Sequence, residues 1–194
     1  MAHCCQNAKS VLHLFIRIKT KGKGSHYCRA FISIALRDIF SSRVNNVIAK
    51  IPSAGIGADV IVGFPGESDS DFEDTFSFLE NIPLSYLHVF TFSERPATIA
   101  QNLPGKVPNK DKELRSRRLI TLSQNKNLIF NQLNIGQTTK VLFERTNSEG
   151  MISGFTSNYI RVEYPWETKL AGTIRKVRLD GIAPSGKMSI ELID

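Results

Sequence analysis

From residue 38 onward the chain alternates apolar and polar positions with clear periods. Phe40, Val44, Val47, Ile48 and Ile51 recur at the i, i+4, i+7, i+8 spacing of one helical face, and Pro52 stops the run because it lacks an N–H. Residues 56–62 form a continuous apolar stretch rich in β-branched side chains, the pattern of a strand covered on both faces in a parallel sheet. Gly63-Phe-Pro-Gly-Glu67 ends that strand as a tight turn. A helix follows, opened by a capping box at Ser70-Asp-Phe-Glu73 and buried along Phe72, Phe76 and Leu79. Residues 86–92 read as a second strand, which leads into a polar loop over 93–98. After a Pro and Gly break at 103–108, a long helix is expected from Asn109 to about Leu133, with Arg115, Arg117 and Arg118 as a basic cluster.

Past Gly136 the period changes to that of short strands, expected over 139–144, 151–155, 159–163, 173–179 and 187–193. Turns are expected at 147–150 and 183–186. Five strands so closely spaced predict a small closed barrel of OB-like type. Helix, strand, helix, strand before it is the grammar of an α/β barrel or a doubly wound sheet, whose sites lie on the loops after the strands. The expected organisation is therefore an atypical segment at 1–37, an α/β domain at 38–134 and an all-β domain at 135–194.

Charge changes this picture little. The formal charge is +7, and residues 1–37 alone carry seven Lys or Arg and no acid, so the remainder is balanced. A charge excess confined to a tail is weak support for a nucleic-acid face. With 41% hydrophobic and 22% charged residues the chain has globular composition. No apolar run approaches the roughly 20 residues of a membrane span, and no secretory signal is apparent, so a cytoplasmic protein without membrane partners is expected. Cys4, Cys5 and Cys28 have neither zinc nor iron–sulfur spacing and read as free thiols, and His3, His13, His26 and His88 make no metal-ligand pattern.

Candidate chemistry sits on the loops after the α/β strands. Gly63, Pro65, Gly66 and Glu67 either direct backbone N–H groups at a ligand or simply make a tight turn. Asp59 either positions a ligand or satisfies nearby backbone. On the next loop, Ser93 and Arg95 are placed to meet an anion, unless Arg95 pairs with Glu94. His88, inside an apolar strand, reads as a core histidine. In the β-module Lys140, Arg145, Arg161, Arg175, Lys176 and Arg178 supply cations, while Phe155, Tyr159, Tyr164 and Trp166 supply rings. Cations that follow phosphates beside rings that stack bases are what an OB-like RNA binder requires. The acids Glu144, Glu149, Glu163 and Glu167 nearly cancel that charge.

Three segments in order, residues 57–67 (GADVIVGFPGE), 87–98 (LHVFTFSERPAT) and 141–144 (VLFE) with 154–162 (GFTSNYIRV), resemble the C-terminal half of the radical-SAM tRNA methylthiotransferases, nearest the MtaB type. The resemblance covers about residue 39 to the end. It implies the closing part of a radical-SAM barrel, TIM-like in plan, and a TRAM domain that binds tRNA. The implied chemistry is methylthiolation at C2 of threonylcarbamoyladenosine beside the anticodon, with S-adenosylmethionine and 4Fe-4S clusters as cofactors. By the same resemblance Asp59, Gly63, Pro65, Gly66, Glu67, Ser93 and Arg95 serve the cofactor. Lys140, Arg145, Asn158, Tyr159, Arg161 and Arg175 meet tRNA. The cluster cysteines of the family have no counterpart in Cys4, Cys5 or Cys28, so the chain is expected to be a fragment that binds neither cofactor alone and does not turn over. Ala97 stands where the family has Gly and Phe92 where it often has Tyr, and residues before 38 depart from the family, as after a reading-frame change or truncation. The rival readings are an RNA-binding module without catalysis and an inactive remnant.

Overall fold

The computed structural model describes residues 37–94 and 102–193, together with the backbone of four short strands, β1 (Val11–Leu12), β2 (Leu14–Lys19), β3 (His26–Cys28) and β4 (Ile32–Ser33). The chain divides into two compact units, one containing residues 56–126 and the other 127–194 with the short segment 51–55. The division falls within one long helix.

In the first unit, helix α1 (Arg37–Lys50) buries Phe40 and Val44, and strand β5 (Gly55–Val62) follows it. Ile56, Ala58, Val60 and Val62 of β5 are fully buried, as their apolar run predicts. Helix α2 (Asp69–Asn81) begins earlier than the sequence suggests. Its capping box is Ser68 with Asp71, because Ser68 Oγ accepts from the Asp71 N–H while the Asp71 carboxylate accepts from the Ser68 N–H. The expected Ser70 and Glu73 lie inside the helix. Phe72 and Leu79 form its buried stripe, joined by Thr75, with Phe76 half-buried.

Strand β6 (Tyr86–Thr91) runs parallel to β5, from Gly57 opposite Tyr86 to Val62 opposite Thr91. A side chain at Gly57 would collide with the Tyr86 ring. The sheet order is β3-β2-β5-β6, which leaves β6 at an edge. His88 is consequently exposed, stacked edge-on against Tyr86 at 5.0 Å, and is not the core histidine expected from its apolar neighbours. This is a mixed α/β unit whose described part is an open sheet.

Helix α3 (Asn109–Leu133) closes the unit. Ser123 Oγ accepts from the Leu87 N–H at 2.7 Å and donates to the Leu87 carbonyl at 2.9 Å, fixing the helix to β6. Lys126 is buried and donates to the carbonyls of Glu80 and Ile82 at 3.0 and 2.7 Å. These carbonyls lie at the C-terminal end of α2, which has no basic residue of its own in the last turn, and the Ile82 carbonyl also accepts from the Leu84 N–H at 2.8 Å.

The second unit holds β7 (Thr138–Ser148), β8 (Met151–Thr156), β9 (Arg161–Pro165), β10 (Ile174–Ile182) and β11 (Met188–Leu192). Each strand pairs on both sides in the order β10-β11-β9-β8-β7, so the five-stranded sheet closes and leaves no free edge. Its core contains Val141, Phe143, Ile152, Val162, Leu179 and Met188, with Phe130, Tyr164 and Trp166 packed against it. Gly154 is required at the β7–β8 contact, since a Cβ there would lie 2.6 Å from Val141 Cγ1 and 2.7 Å from the Leu142 carbonyl. The turn between β7 and β8 places Glu149 and Gly150 at φ 55° and 77°, the two positive values that match a tight hairpin to strand twist. Strand β9 starts at Arg161 and not at Tyr159, because Tyr159 adopts φ 73° and leaves the extended region.

Candidate functional site

Two groups of residues carry candidate chemistry, one in each unit. The first is the loop between β5 and α2. Gly63 and Gly66 have φ 77° and 90°, conformations that favour glycine, and Pro65 between them is buried. The loop is tied up from within. The Gly63 N–H donates to Glu67 Oε2 at 2.5 Å, the Glu67 N–H to the Phe64 carbonyl at 3.0 Å, and the Gly66 N–H to the Gly105 carbonyl at 2.8 Å. Proline has no N–H to give. Of the two readings offered by the sequence, these hydrogen bonds match the tight turn, since the N–H groups of Gly63, Gly66 and Glu67 each have a partner within the protein.

Glu67 is held from the other side by Arg115 of α3. Arg115 Nη1 donates to the Glu67 carboxylate at 2.7 Å and to its carbonyl at 3.2 Å, and Nη2 donates to Asp69 at 2.7 Å. Arg115 is buried, 6% exposed, and its guanidinium lies 5.6 Å from the Phe72 ring centroid. Burial pushes the Glu67 carboxyl above the usual carboxylate range, and the Gly63 N–H and Arg115 hold it down only in part. The local sequence shows no sign of this pair beyond a basic cluster on α3, and the structure disperses that cluster. Arg118 makes a two-pronged contact with Glu73, and Arg117 pairs with Glu113 on its own helix.

Asp59 is half-buried in β5, opposite His88 of β6, and Ser93 is exposed after β6. Phe64 and Phe92, at the C-terminal ends of the two strands, meet edge to face at 5.1 Å. Arg95 lies outside the described residues, as do the side chains of Cys4, Cys5, Cys28, His3, His13 and His26. Among the described residues no group of three or more His, Cys, Asp or Glu is arranged to hold a metal. A Cβ at Gly66 would meet only open space, so that face of the loop is uncovered among the described residues.

The second group is the outer face of the closed sheet. Strand alternation and register bring four residues into one row across four strands. Arg161 lies opposite Phe155, Phe155 opposite Leu142, and Leu142 opposite Ile174. The Arg161 guanidinium sits 5.7 Å from the Phe155 ring centroid, and the Tyr159 ring 5.1 Å from that of Phe155. Leu142 and Ile174 are 54% and 62% exposed, so the row is an apolar surface with an aromatic and cationic end. Lys140 and Lys176 face each other one step along β7 and β10 on the same side.

Not all expected contacts share this face. Arg175 pairs with fully buried Val141 and so has inward parity, with its Nε buried and lacking a hydrogen-bond partner. Arg145 is exposed but packs over Gly172. Asn158 spends its amide on the fold. It accepts from Thr156 Oγ1 at 2.6 Å and donates to the Ser53 carbonyl at 2.8 Å. Tyr164 and Trp166 pack against the core, leaving Phe155 and Tyr159 as the surface rings. Among the described residues no helix is long and apolar enough to cross a membrane.

The chain is similar to curated proteins that modify tRNA. It is 39% identical over 127 residues to a threonylcarbamoyladenosine tRNA methylthiotransferase MtaB from Aquifex aeolicus, covering 66% of this chain and 30% of that protein. With the protein of the same name from Bacillus subtilis it shares 32% identity, over 73% of this chain and 32% of the relative. A tRNA-2-methylthio-N(6)-dimethylallyladenosine synthase from Desulfitobacterium hafniense is 33% identical, again over 73% of this chain and 32% of the relative. This chain therefore spans about a third of the length of these relatives. No family model matches it.

Proposed function

The chain belongs to the tRNA methylthiotransferase family, and on that premise we propose that it corresponds to the C-terminal part of such an enzyme: the end of a radical-SAM barrel followed by a TRAM-like barrel that grips tRNA. The reaction in which the whole enzyme takes part is methylthiolation at C2 of threonylcarbamoyladenosine next to the anticodon. S-adenosylmethionine and 4Fe-4S clusters would supply its radical and sulfur chemistry. Residues 38–134 carry the barrel portion and 135–194 the RNA-binding portion. In the first, Asp59, Gly63, Pro65, Gly66, Glu67, Ser93 and Arg95 line the cofactor side, with Glu67 acting through the loop it holds. In the second, Arg161, Tyr159 and Lys140 contact RNA directly, Arg145 and Arg175 lie at the margins, and Asn158 orders the loop that presents Tyr159.

The observation that carries this reading is identity of 32–39% to named tRNA methylthiotransferases over about two thirds of the chain or more. The outer face of the closed sheet supports the RNA-binding part. A ring pair beside a guanidinium, with two lysines on the same face, offers stacking for unpaired bases and charge for phosphates. That face equally supports the second reading, in which this chain binds tRNA without turnover. Without cluster ligands no electron reaches the sulfonium, so the chain alone is inactive in both readings.

Filter binding of tRNA at several salt concentrations tests the proposal. Affinity is expected to fall as salt rises, and replacing Arg161 by Gln should reduce the log–log slope by about one contact. A folded chain that shows no tRNA binding at low salt would overturn the RNA-binding assignment.

A further inference from the structure

The second unit contains a small pocket, of whose lining the proposed function uses only Asn158. It lies where segment 51–55, the end of α3, the start of β7 and the 157–158 loop meet, all within that unit. We infer that this pocket, walled by Asn134, Gln137, Thr138 and Asn158, receives a single neutral nucleobase. The inference rests on the reading of the chain as an RNA binder and adds to it a specific subsite for one base.

The walls are fixed before any ligand arrives. Asn158 donates to the Ser53 carbonyl and lies 3.3 Å from Asn134 Oδ1, while Asn134 Nδ2 donates to the Phe130 carbonyl at 2.8 Å. The Leu179 carbonyl accepts from the Gly136 N–H at 2.7 Å and the Leu179 N–H donates to the Gln137 carbonyl at 3.0 Å. Segment 51–55 lies flush on the loop, since a Cβ at Gly55 would collide with the Asn158 carbonyl. Walls at Asn134 and Asn158 that already have their own partners reduce the ordering cost of binding.

The chemistry of the lining selects the ligand. Every polar side chain in it is an amide or a hydroxyl, Ile51 and Ala54 supply the apolar part, and Leu179, whose side chain lies in the barrel core, borders it with its backbone. Among the described residues no ionisable group lines the pocket, so a phosphate, carboxylate or ammonium would find no counter-charge among them. The volume is about 100 Å³, below the roughly 300 Å³ at which sites for whole small molecules begin. One heterocyclic ring system fits that description, with a face against Ile51 and a neutral edge of donors and acceptors. Gln137 and Thr138 are exposed and commit no side-chain hydrogen bond to the fold among the described residues. The Gln137 amide offers both a donor and an acceptor, as reading a base edge requires. Asn158 directly precedes Tyr159, whose exposed ring is held at a positive φ, so stacking surface and pocket share one loop.

Proton–nitrogen spectra of the full chain, titrated separately with adenosine, guanosine, cytidine, uridine and then tRNA, test the inference. At least one nucleoside should shift the side-chain amides of Gln137 and Asn134. Gln137→Ala should weaken that binding about tenfold, the loss of one hydrogen-bonding amide, with an unchanged melting temperature. Thr138→Phe, which fills the mouth, should abolish it. If no nucleoside moves these amides in the folded chain, or if both variants bind as the parent does, the inference is wrong. If tRNA binds while the pocket amides stay still, the pocket assignment fails and the RNA reading survives. If a nucleoside binds and tRNA does not, the base pocket stands and the RNA reading fails.

Discussion

Arg115 and Glu67 are 48 residues apart in the chain and 2.7 Å apart in space, an ion pair in which the arginine side chain is 7% exposed and the glutamate 15%. The pair converts a glycine-rich turn into a fixed piece of backbone. Asp69, the other carboxylate on Arg115, has a side chain that is 96% exposed. It contributes far less, since exposed pairs are worth about 0–1 kcal/mol.

Removing the arginine strands a buried carboxylate. Arg115→Met is expected to lower unfolding free energy by on the order of 3 kcal/mol, whereas Asp69→Asn should cost less than about 1 kcal/mol. Urea denaturation of the two variants checks this. Equal costs would show that Arg115 acts as packing and not as the partner of Glu67.

The same pair makes stability depend on pH. Burial raises the Glu67 carboxyl above 4.5 in the folded protein, so its linked contribution is present below pH 4.5 and is lost as pH rises through the folded value. Glu73 has the opposite sign. The Arg118 hydrogen bond lowers its carboxyl, so its contribution is present above pH 4.5 and is lost as pH falls through the folded value. Carbon-detected NMR titration should find Glu67 above and Glu73 below the ordinary glutamate value. In Arg115→Met, Glu67 should move further up, and the cost of that substitution should shrink once acid protonates it. A Glu67 titration below 4.5 would contradict the account.

Much of the fold is legible in residues 38–194 and some of it is not. The apolar run at β5 and the strand periods beyond Gly136 depend on burial patterns written locally, and all five later strands are present, although β7 and β10 run past their expected ends and β9 starts two residues late. The start of α2 is ambiguous in sequence because Ser68 and Ser70 both precede an acid by three positions, and only backbone geometry decides between them. His88 looks like a core residue because a strand's sequence does not say that it will lie at a sheet edge. Arg115 is visible only as one of three neighbouring arginines. Its partners come from a loop 48 residues earlier, and no local period records such a contact. Asn158 is named in the sequence only by resemblance, and its hydrogen bond to the Ser53 carbonyl, 105 residues away in the chain and within 2.8 Å, is recorded by no local period.

Lys126 provides a further check on long-range capping. Lys126→Met keeps the apolar stem but removes two hydrogen bonds to the end of α2, leaving the carbonyls of Glu80 and Ile82 without that donor. The expected cost is about 1–3 kcal/mol, with faster amide exchange over the last turn of α2. Unchanged exchange there would show that the lysine is a passenger. Burial lowers the Lys126 pKa, opposed by the nearby Glu80 carboxylate.

Tyr159 separates surface from core. Its ring is 46% exposed, so Tyr159→Ala should change barrel stability by less than about 1 kcal/mol. The same change should weaken tRNA binding by about 1–3 kcal/mol with no change in salt slope, because stacking carries no counterion release. Circular dichroism and filter binding on one preparation distinguish this from a role in the core, where the barrel itself would unfold.

The most direct test of the account is photo-crosslinking of the chain to tRNA, with the attached peptides located by mass spectrometry. The account predicts crosslinks on the β8–β9 segment that carries Phe155, Tyr159 and Arg161, competed away by excess unlabelled tRNA. Crosslinks confined to residues 37–94, with none on the closed sheet, would contradict it.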